Sequence, residues 1–256
     1  MSTKILVATH KPYHFPDNEL YIPIHVGKAL SQKDFGYLGD DSGENISYKN
    51  RNFCELTALY WAWKNNYFNA YKYVGLVHYR RYFAGELPFG KFSILSEQQI
   101  DNLMQNHDII LPKKRKYYIE TIRDHYAHAH NLEDLLKTRE IIEGRHPKFI
   151  EAFDKLMEHR SLYLYNMFLM KKIDFDNYMQ WLFDILFELE KRIDISFYDN
   201  YQGRVFGFIS ERLFNVWIIH HKLHTKEIKV INIEGENIPL KITGLLKRKF
   251  LKTQKN

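Results

Sequence analysis

Cysteine is nearly absent: Cys54 stands alone in 256 residues. One thiol can close neither an internal disulfide nor a cysteine-based zinc cage, so a reducing cytoplasm is the expected home. Glycine (12) and proline (7) are sparse, which excludes collagen-like and low-complexity chains, and 16% aromatic content excludes a disordered one. No apolar run approaches the ~18 residues that a membrane span needs. The opening Met1-Ser-Thr-Lys-Ile-Leu-Val-Ala-Thr9 lacks a signal peptide's longer apolar stretch and small-residue cleavage site. The generic nucleotide fingerprints, a P-loop and G-x-G-x-x-G, are missing as well. What is present is 45% hydrophobic residues, in a length that suits one large domain. The chain reads as a soluble, intracellular globular protein.

The net charge of +6 is unevenly placed. Lys241, Lys247, Arg248, Lys249, Lys252 and Lys255 supply the whole excess; setting these six aside, the chain balances at 31 of each sign. A nucleic-acid-binding domain carries positive charge on its folded body beside exposed aromatics, so nucleic acid is not an expected partner. Leu245, Leu246, Phe250 and Leu251 among the tail's cations suit contact with an anionic membrane surface; a solvated, frayed terminus is the plain alternative.

Residues 4–10 form a short apolar run ending in polar groups, a buried strand. A long loop follows, with Pro12, Pro16, Pro23 and the turn-rich Gly39-Asp-Asp-Ser-Gly-Glu-Asn45. Phe53, Leu56, Leu59, Tyr60 and Trp63 recur at helical spacing over 52–66. Further strands are predicted at 73–78, 108–112, 163–170 and 227–233. Ser96 with Gln99 makes a capping box for a helix to about residue 106. Helices are predicted near 119–128, 132–144 and 147–159, the last opened by Pro147, then over 175–192 and 210–222. Strands alternating with helices predict an α/β sandwich with its site at the carboxyl ends of the strands. Polar clusters at Thr9-His-Lys11, His78-Tyr-Arg-Arg81 and Asn166 accompany those strands.

His78-Tyr79-Arg80-Arg81 is the strongest local signal. Adjacent arginines at a strand end are costly to bury without an anion, and their planar forks suit a diphosphate; one Arg on a core carboxylate and one in solvent is the bland reading. The loop acids Asp40 and Asp41 fit ribose hydroxyls, a base edge or a metal, or simply a turn. His125, His128 and His130 have no acid or thiol at ligand spacing to complete a zinc set. Asp174-Phe-Asp176 is Asp-x-Asp, an arrangement used to hold a metal, but it opens a helix and reads better as a cap. Ser210 is a plausible N-cap, which puts Glu211 in a first helical turn; an ionised acid there is placed to be a general base, or to pair with Arg212 or Arg204.

Several longer stretches carry a family resemblance: Lys4-Ile-Leu-Val-Ala-Thr-His-Lys-Pro12, Tyr21-Ile-Pro-Ile-His-Val-Gly-Lys-Ala-Leu30, Gly39-Asp-Asp-Ser-Gly-Glu-Asn-Ile-Ser47 and Lys49-Asn50. Cys54-Glu-Leu-Thr-Ala-Leu-Tyr-Trp-Ala-Trp-Lys64, Val74-Gly-Leu-Val-His-Tyr-Arg-Arg-Tyr-Phe83, Tyr165-Asn-Met-Phe-Leu-Met-Lys-Lys172 and Arg204-Val-Phe-Gly-Phe-Ile-Ser-Glu-Arg-Leu-Phe214 continue it. Over about residues 3–220 the chain resembles a bacterial family, known as a domain of unknown function, associated with capsular and exopolysaccharide glycosyltransferases.

The resemblance implies a GT-A-like, Rossmann-type α/β sandwich with a central, mostly parallel sheet flanked by helices. It implies a donor-binding half (1–113) and an acceptor-binding, catalytic half (114–240) of one domain, followed by the basic tail (241–256). The reaction implied is transfer of a hexose, galactofuranose being one candidate, from a UDP-linked donor to a growing capsular, exopolysaccharide or O-antigen glycan. Lipid linkage of that acceptor would place the protein at the inner face of the membrane. By this analogy Thr9, His10, Lys11, Asp40, Asp41, Asn45, Asn50 and Tyr79 bind the donor, while Asn166, Arg204, Arg212, His128 and His130 face the acceptor. Glu211 is the candidate base of an inverting reaction. Related enzymes commonly hold a divalent metal, Mn or Mg, at the end of a central strand. Here that strand ends in His78, Arg80 and Arg81, so the expectation is that the arginines replace the metal, with Asp40 and Asp41 as fallback ligands. A non-catalytic nucleotide- or glycan-binding module is the alternative.

Overall fold

The computed structural model describes residues 2–234, so the basic tail lies outside the described residues. Strand β1 (Thr3–Thr9) runs parallel to β2 (Tyr21–His25) on one side, and β3 (Leu38–Gly39) continues that edge. On its other side β1 is parallel to β4 (Tyr73–His78). The strands β5 (Arg81–Phe89) and β6 (Phe92–Ile94) branch from the end of β4 as a hairpin. Beyond β4 the sheet continues through β7 (Ile109–Pro112); β8 (Arg115–Lys116) and β9 (Ser161–Leu162) form a separate ribbon. Strand β10 (Phe168–Lys171) lies antiparallel between β4 and β7, and β11 (Thr225–Ile228) is parallel to β7. The last strand, β12 (Val230–Asn232), pairs with β5. The order β11-β7-β10-β4-β1-β2-β3 therefore contains one reversed strand, and the sheet is mostly parallel, as predicted.

Ile5, Leu6 and Val7 are all fully buried, as expected of a strand covered on both faces. Alternation sends Leu6, Val74 and Leu76 to one face and Ile5, Tyr73 and Val77 to the other. The first face packs on α2 (Leu56–Lys64), which follows the short α1 (Asn50–Phe53). The other face is covered by the β5–β6 hairpin and α3 (Glu97–Met104), which the predicted Ser96–Gln99 capping box opens. The helices α4 (Ile122–Ala129), α5 (Leu132–Arg145), α6 (Ile150–Glu158), α7 (Lys172–Arg192) and α8 (Val205–His221) all add to the first face. Both cores draw on residues before and after position 113.

Gly75 marks the closest strand approach. A Cβ there would sit 2.5 Å from the Phe168 carbonyl oxygen and 2.8 Å from the Leu169 side chain on β10. We expect Gly75→Ala to cost about 2–3 kcal/mol; an unchanged urea midpoint would show that β10 yields freely.

The structure corrects several sequence expectations. The helix predicted over 52–66 is broken at Cys54, whose φ of +53° ends α1 before α2 begins. Residues 21–25 form a strand in spite of Pro23, because β3 covers only Ile24 and His25 and leaves the edge beside Pro23 open. The strand predicted from residue 163 starts only at Phe168, so Asn166 precedes it in a left-handed turn with Tyr165 (φ +50° and +77°). Most consequential, the final helix starts at Val205 rather than Ser210. Val205-Phe-Gly-Phe-Ile209 lacks a polar period because the helix is buried nearly all round, and such a run imitates a strand. Ser210 is therefore interior, its hydroxyl oxygen 2.9 Å from the Gly207 carbonyl, and Glu211 gains nothing from a helix N-terminus.

Candidate active site

The carboxyl ends of β1 and β4 lie side by side, with Ala8 opposite His78. Side chains that the sequence scatters meet there. The Tyr79 ring is buried between them, edge-on to His10 at 5.4 Å, with the Lys11 ammonium 4.8 Å and the Arg80 guanidinium 5.6 Å from its centre. Lys11 Nζ and Arg80 Nη1 each donate to a different oxygen of Glu234, both at 3.2 Å. Strand β12 delivers that carboxylate: Asn232 lies opposite Arg81, and the Ile233 N–H donates to the Arg80 carbonyl at 3.0 Å. Burial pushes Glu234 up, but the bonds from Arg80 and Lys11 outweigh it and hold the carboxyl below its ordinary value. Burial, then the charges of Lys11 and Arg80, keep His10 less basic than a free histidine. Two cations from two parallel strands thus grip one anion.

Arg81 turns away from this clamp. Its guanidinium stacks on Tyr165, 4.5 Å from the ring centre, so the two arginines do not form the paired fork that their adjacency suggests.

Tyr165 and Asn166 tie together three parts of the fold. The Tyr165 N–H donates to Glu211 Oε1 (2.7 Å), and its carbonyl accepts from His78 Nε2 (2.7 Å). Asn166 Nδ2 donates to Glu55 Oε1 (2.7 Å), while its Oδ1 accepts from the Ser210 hydroxyl (3.0 Å). Two successive non-glycine residues in left-handed conformation, with Cys54 at φ +53° beside Glu55, store strain of about 1–3 kcal/mol each. Such strain persists where surrounding contacts over-determine it, and here they do. Burial pushes Glu211 above the usual carboxylate range, against the opposing pull of Arg212 and the Tyr165 N–H. Arg212, only 3% exposed, pairs with Glu211 Oε2 at 3.2 Å. Burial also makes His78 less basic, partly offset by Glu55, and its Nε2–H donates to the Tyr165 carbonyl. Arg204 Nε donates to Cys54 Sγ (3.2 Å), and burial raises that thiol to about 11, out of reach as a nucleophile at neutral pH.

Glu55 carries no role in the sequence reading, because helical periodicity runs straight through it. Its charge nonetheless acts on His78, Arg81, Arg204 and Glu211. The available signal was an acid beside the lone cysteine at the head of an otherwise apolar helix. Glu234 was equally invisible, sitting after the last predicted strand.

Several of the other predicted site residues bond their own backbone surroundings. Thr9 is buried and bonds the Lys11 carbonyl (2.7 Å). Asp40 accepts from the Gly27 N–H (2.8 Å), the Lys28 N–H (3.1 Å) and the Ser47 hydroxyl, which fixes the 27–47 loop. Asn45 bonds the Asp41 (3.1 Å) and Gly43 (3.0 Å) carbonyls, and Asn50 bonds the Cys54 carbonyl (2.6 Å). Asp41 is exposed, as is His128, which pairs with Glu120 at 3.3 Å. His130 meets Gln202 (3.2 Å) and stacks beside Tyr201 and Phe208.

The fallback metal ligands do not fit a divalent ion, since the buried Asp40 oxygens are already spent on the loop. Asp174 and Asp176 lie past Lys171, which pairs with Tyr73 at the start of β4, the opposite end of that strand from His78. Asp174 sits in the first turn of α7 without a side-chain cap, and Asp176 pairs with Lys172 at 2.5 Å. Among the described residues no group of three or more His, Cys, Asp or Glu side chains is placed to hold a metal. A cavity of about 280 Å³ lined by Lys114, His159, Tyr163 and Lys222 shares none of the residues of the site.

The fold is an α/β sandwich whose mostly parallel sheet carries this cluster at the carboxyl ends of its strands, where open α/β sheets place their ligands. The chain is a member of the family described as Domain of unknown function (DUF4422), which it matches over residues 4–222. It is also similar to the apo structure of WbbM, a bifunctional glycosyltransferase, with 34% identity and a TM-score of 0.82. That likeness covers 92% of this chain and 46% of the other, so the chain spans about half the length of the structure it matches. No curated protein matches the chain in sequence. No described helix is long and apolar enough to cross a membrane.

Proposed function

We propose that the protein is a glycosyltransferase that moves a sugar from a nucleoside-diphosphate donor, UDP-linked, to the glycan of a bacterial surface polysaccharide. The observation that carries the reading is the clamp of Lys11 and Arg80 on a single carboxylate. Sugar transfer leaves negative charge on the departing diphosphate, and fixed cations at that point lower the barrier. In the proposal Lys11 and Arg80 take the diphosphate, with Arg81 and Arg204 adding positive potential. His10, Tyr79 and His78 line the donor side. Glu211, held by the Tyr165 N–H, removes the proton of the acceptor hydroxyl as its oxygen attacks the anomeric carbon, and the configuration inverts. Glu55 faces the same space, fixed by Asn166. No step is routed through a metal. The likeness to WbbM supports transfer in general; a hexosyl donor, galactofuranose included, and a lipid-linked acceptor at the cytoplasmic face of the membrane extend the proposal.

The test is incubation with a panel of nucleotide-sugars, with and without manganese, following nucleoside diphosphate release and glycan extension together. Binding of a nucleotide-sugar without turnover under any condition would favour the non-catalytic module.

Glu234 occupies the clamp, so it competes with the diphosphate. Glu234→Gln is expected to tighten UDP binding several-fold by calorimetry, because the neutral amide no longer satisfies the two cations. Unchanged affinity would place the diphosphate elsewhere.

A further inference from the structure

Next to the proposed reaction centre the structure holds an aromatic cluster with one exposed member, Tyr201, on half-buried Phe208 and His130. Arg204, Phe208 and Glu211 follow one another at spacings of four and three, which puts them along one face of the chain entering and forming α8. Tyr201 lies one short turn earlier, 46% exposed. Its ring centre is 5.1 Å from that of Phe208 and 5.7 Å from that of His130, which stacks nearly parallel to it at 18°. The ring centres of His130 and Phe208 are 4.1 Å apart, and the Arg204 guanidinium caps Phe208 at 5.5 Å. The platform is tightly held. Asp199 Oδ1 accepts from the N–H groups of Tyr201 (2.9 Å) and Gln202 (2.7 Å), and Gln202 bonds the Ala129 carbonyl (2.9 Å) as well as His130 (3.2 Å).

A sugar ring has an apolar face that packs on an aromatic and polar edges that want donors, and Tyr201 with Arg204 offers both. Phe208 precedes Glu211 by three residues, about 4.5 Å along the helix axis. A ring seated on Tyr201 is therefore a neighbour of the ring whose hydroxyl reaches Glu211, not the same ring. We infer that Tyr201, backed by Phe208 and His130, forms a subsite for the penultimate sugar of the acceptor, so that the acceptor is a glycan of at least two residues. This rests on the transferase reading above.

The experiment compares methyl hexosides with the matching methyl disaccharides, as acceptors and as ligands observed by saturation-transfer NMR. In the native protein the best disaccharide is expected to have a KM about tenfold below its monosaccharide, with saturation strongest on the ring away from the reacting end. Tyr201→Ala abolishes that advantage and that saturation, Tyr201→Phe keeps both, and donor hydrolysis without acceptor is unchanged in each. A disaccharide preference that survives Tyr201→Ala overturns the inference, as does equal loss for both acceptor lengths. Should no donor turn over, saturation transfer that depends on Tyr201 retains the subsite while the transferase reading fails; its absence removes the subsite too.

Discussion

Glu211→Gln is expected to lower turnover by about 10²–10⁴-fold while leaving donor affinity within about twofold. Gln keeps the shape and still accepts the Tyr165 N–H bond at Oε1, but it cannot take a proton. The pH profile carries the sharper signature. Burial holds the Glu211 carboxyl above its ordinary pKa, so the base form fills only as pH climbs past that raised value. The acid limb of kcat/KM should therefore lie above the usual carboxylate range and vanish in the variant's residual activity. Near-native turnover in Glu211→Gln would transfer the base role to Glu55, the carboxylate that Asn166 holds beside the same turn.

The same shift has a consequence for stability, with a definite sign. In the pH range between the ordinary and the raised pKa, the folded protein keeps the proton that the unfolded chain has lost. Stability from this group is thus complete below the ordinary Glu pKa and is lost as pH rises through the folded value. Urea titrations across that range should show the native protein losing stability relative to Glu211→Gln. Arg212 sets the opposing term, because the Gln variant leaves a buried guanidinium without its anion. A buried carboxylate with a raised pKa, beside a strained turn, fits the base role proposed for Glu211.

The fold was largely legible in the sequence because its central strands are short apolar runs buried on both faces, and β1, β4 and β7 stand out on that ground alone. The capping box at Ser96 was equally readable, being a local hydrogen-bond pattern. Legibility failed where tertiary packing overrode the local pattern. Val205-Phe-Gly-Phe-Ile209 is helical although it is buried nearly all round, and Gly207 within it faces Cys54, where an added Cβ would stand 3.1 Å from the sulfur. No periodicity encodes that approach. The left-handed turn at Tyr165–Asn166 is fixed by Glu55, Glu211, His78 and Ser210, partners as distant as 111 positions in the chain, so propensity alone reads it as strand. The site divides the same way. Residue types at strand ends pointed to His78, Arg80 and Lys11, whereas Glu55 and Glu234 are recognisable only once the chain has brought them in.

Arg80→Ala should cut turnover by about 10²-fold or more and weaken UDP binding, because it removes the fork that shares an anion with Lys11. Arg80→Lys tests geometry against charge: an ammonium is a point charge without the planar fork, so partial recovery of binding with poor turnover is the expected outcome. Lys11→Ala should resemble Arg80→Ala, and the double variant should lose less than the product of the two single losses, since both cations address one ligand. Glu234 lets this be separated from general damage. If Arg80 acts through the clamp, Glu234→Gln has little further effect in the Arg80→Ala background, whereas in the native background it tightens binding. A divalent metal predicts a different pattern, with chelator abolishing turnover, manganese restoring it, and Arg80→Ala remaining nearly as active as the native protein. That combination would move leaving-group neutralisation from the strand-end cations to an ion. The occupied oxygens of Asp40 and the remote position of Asp174 and Asp176 argue for the clamp instead.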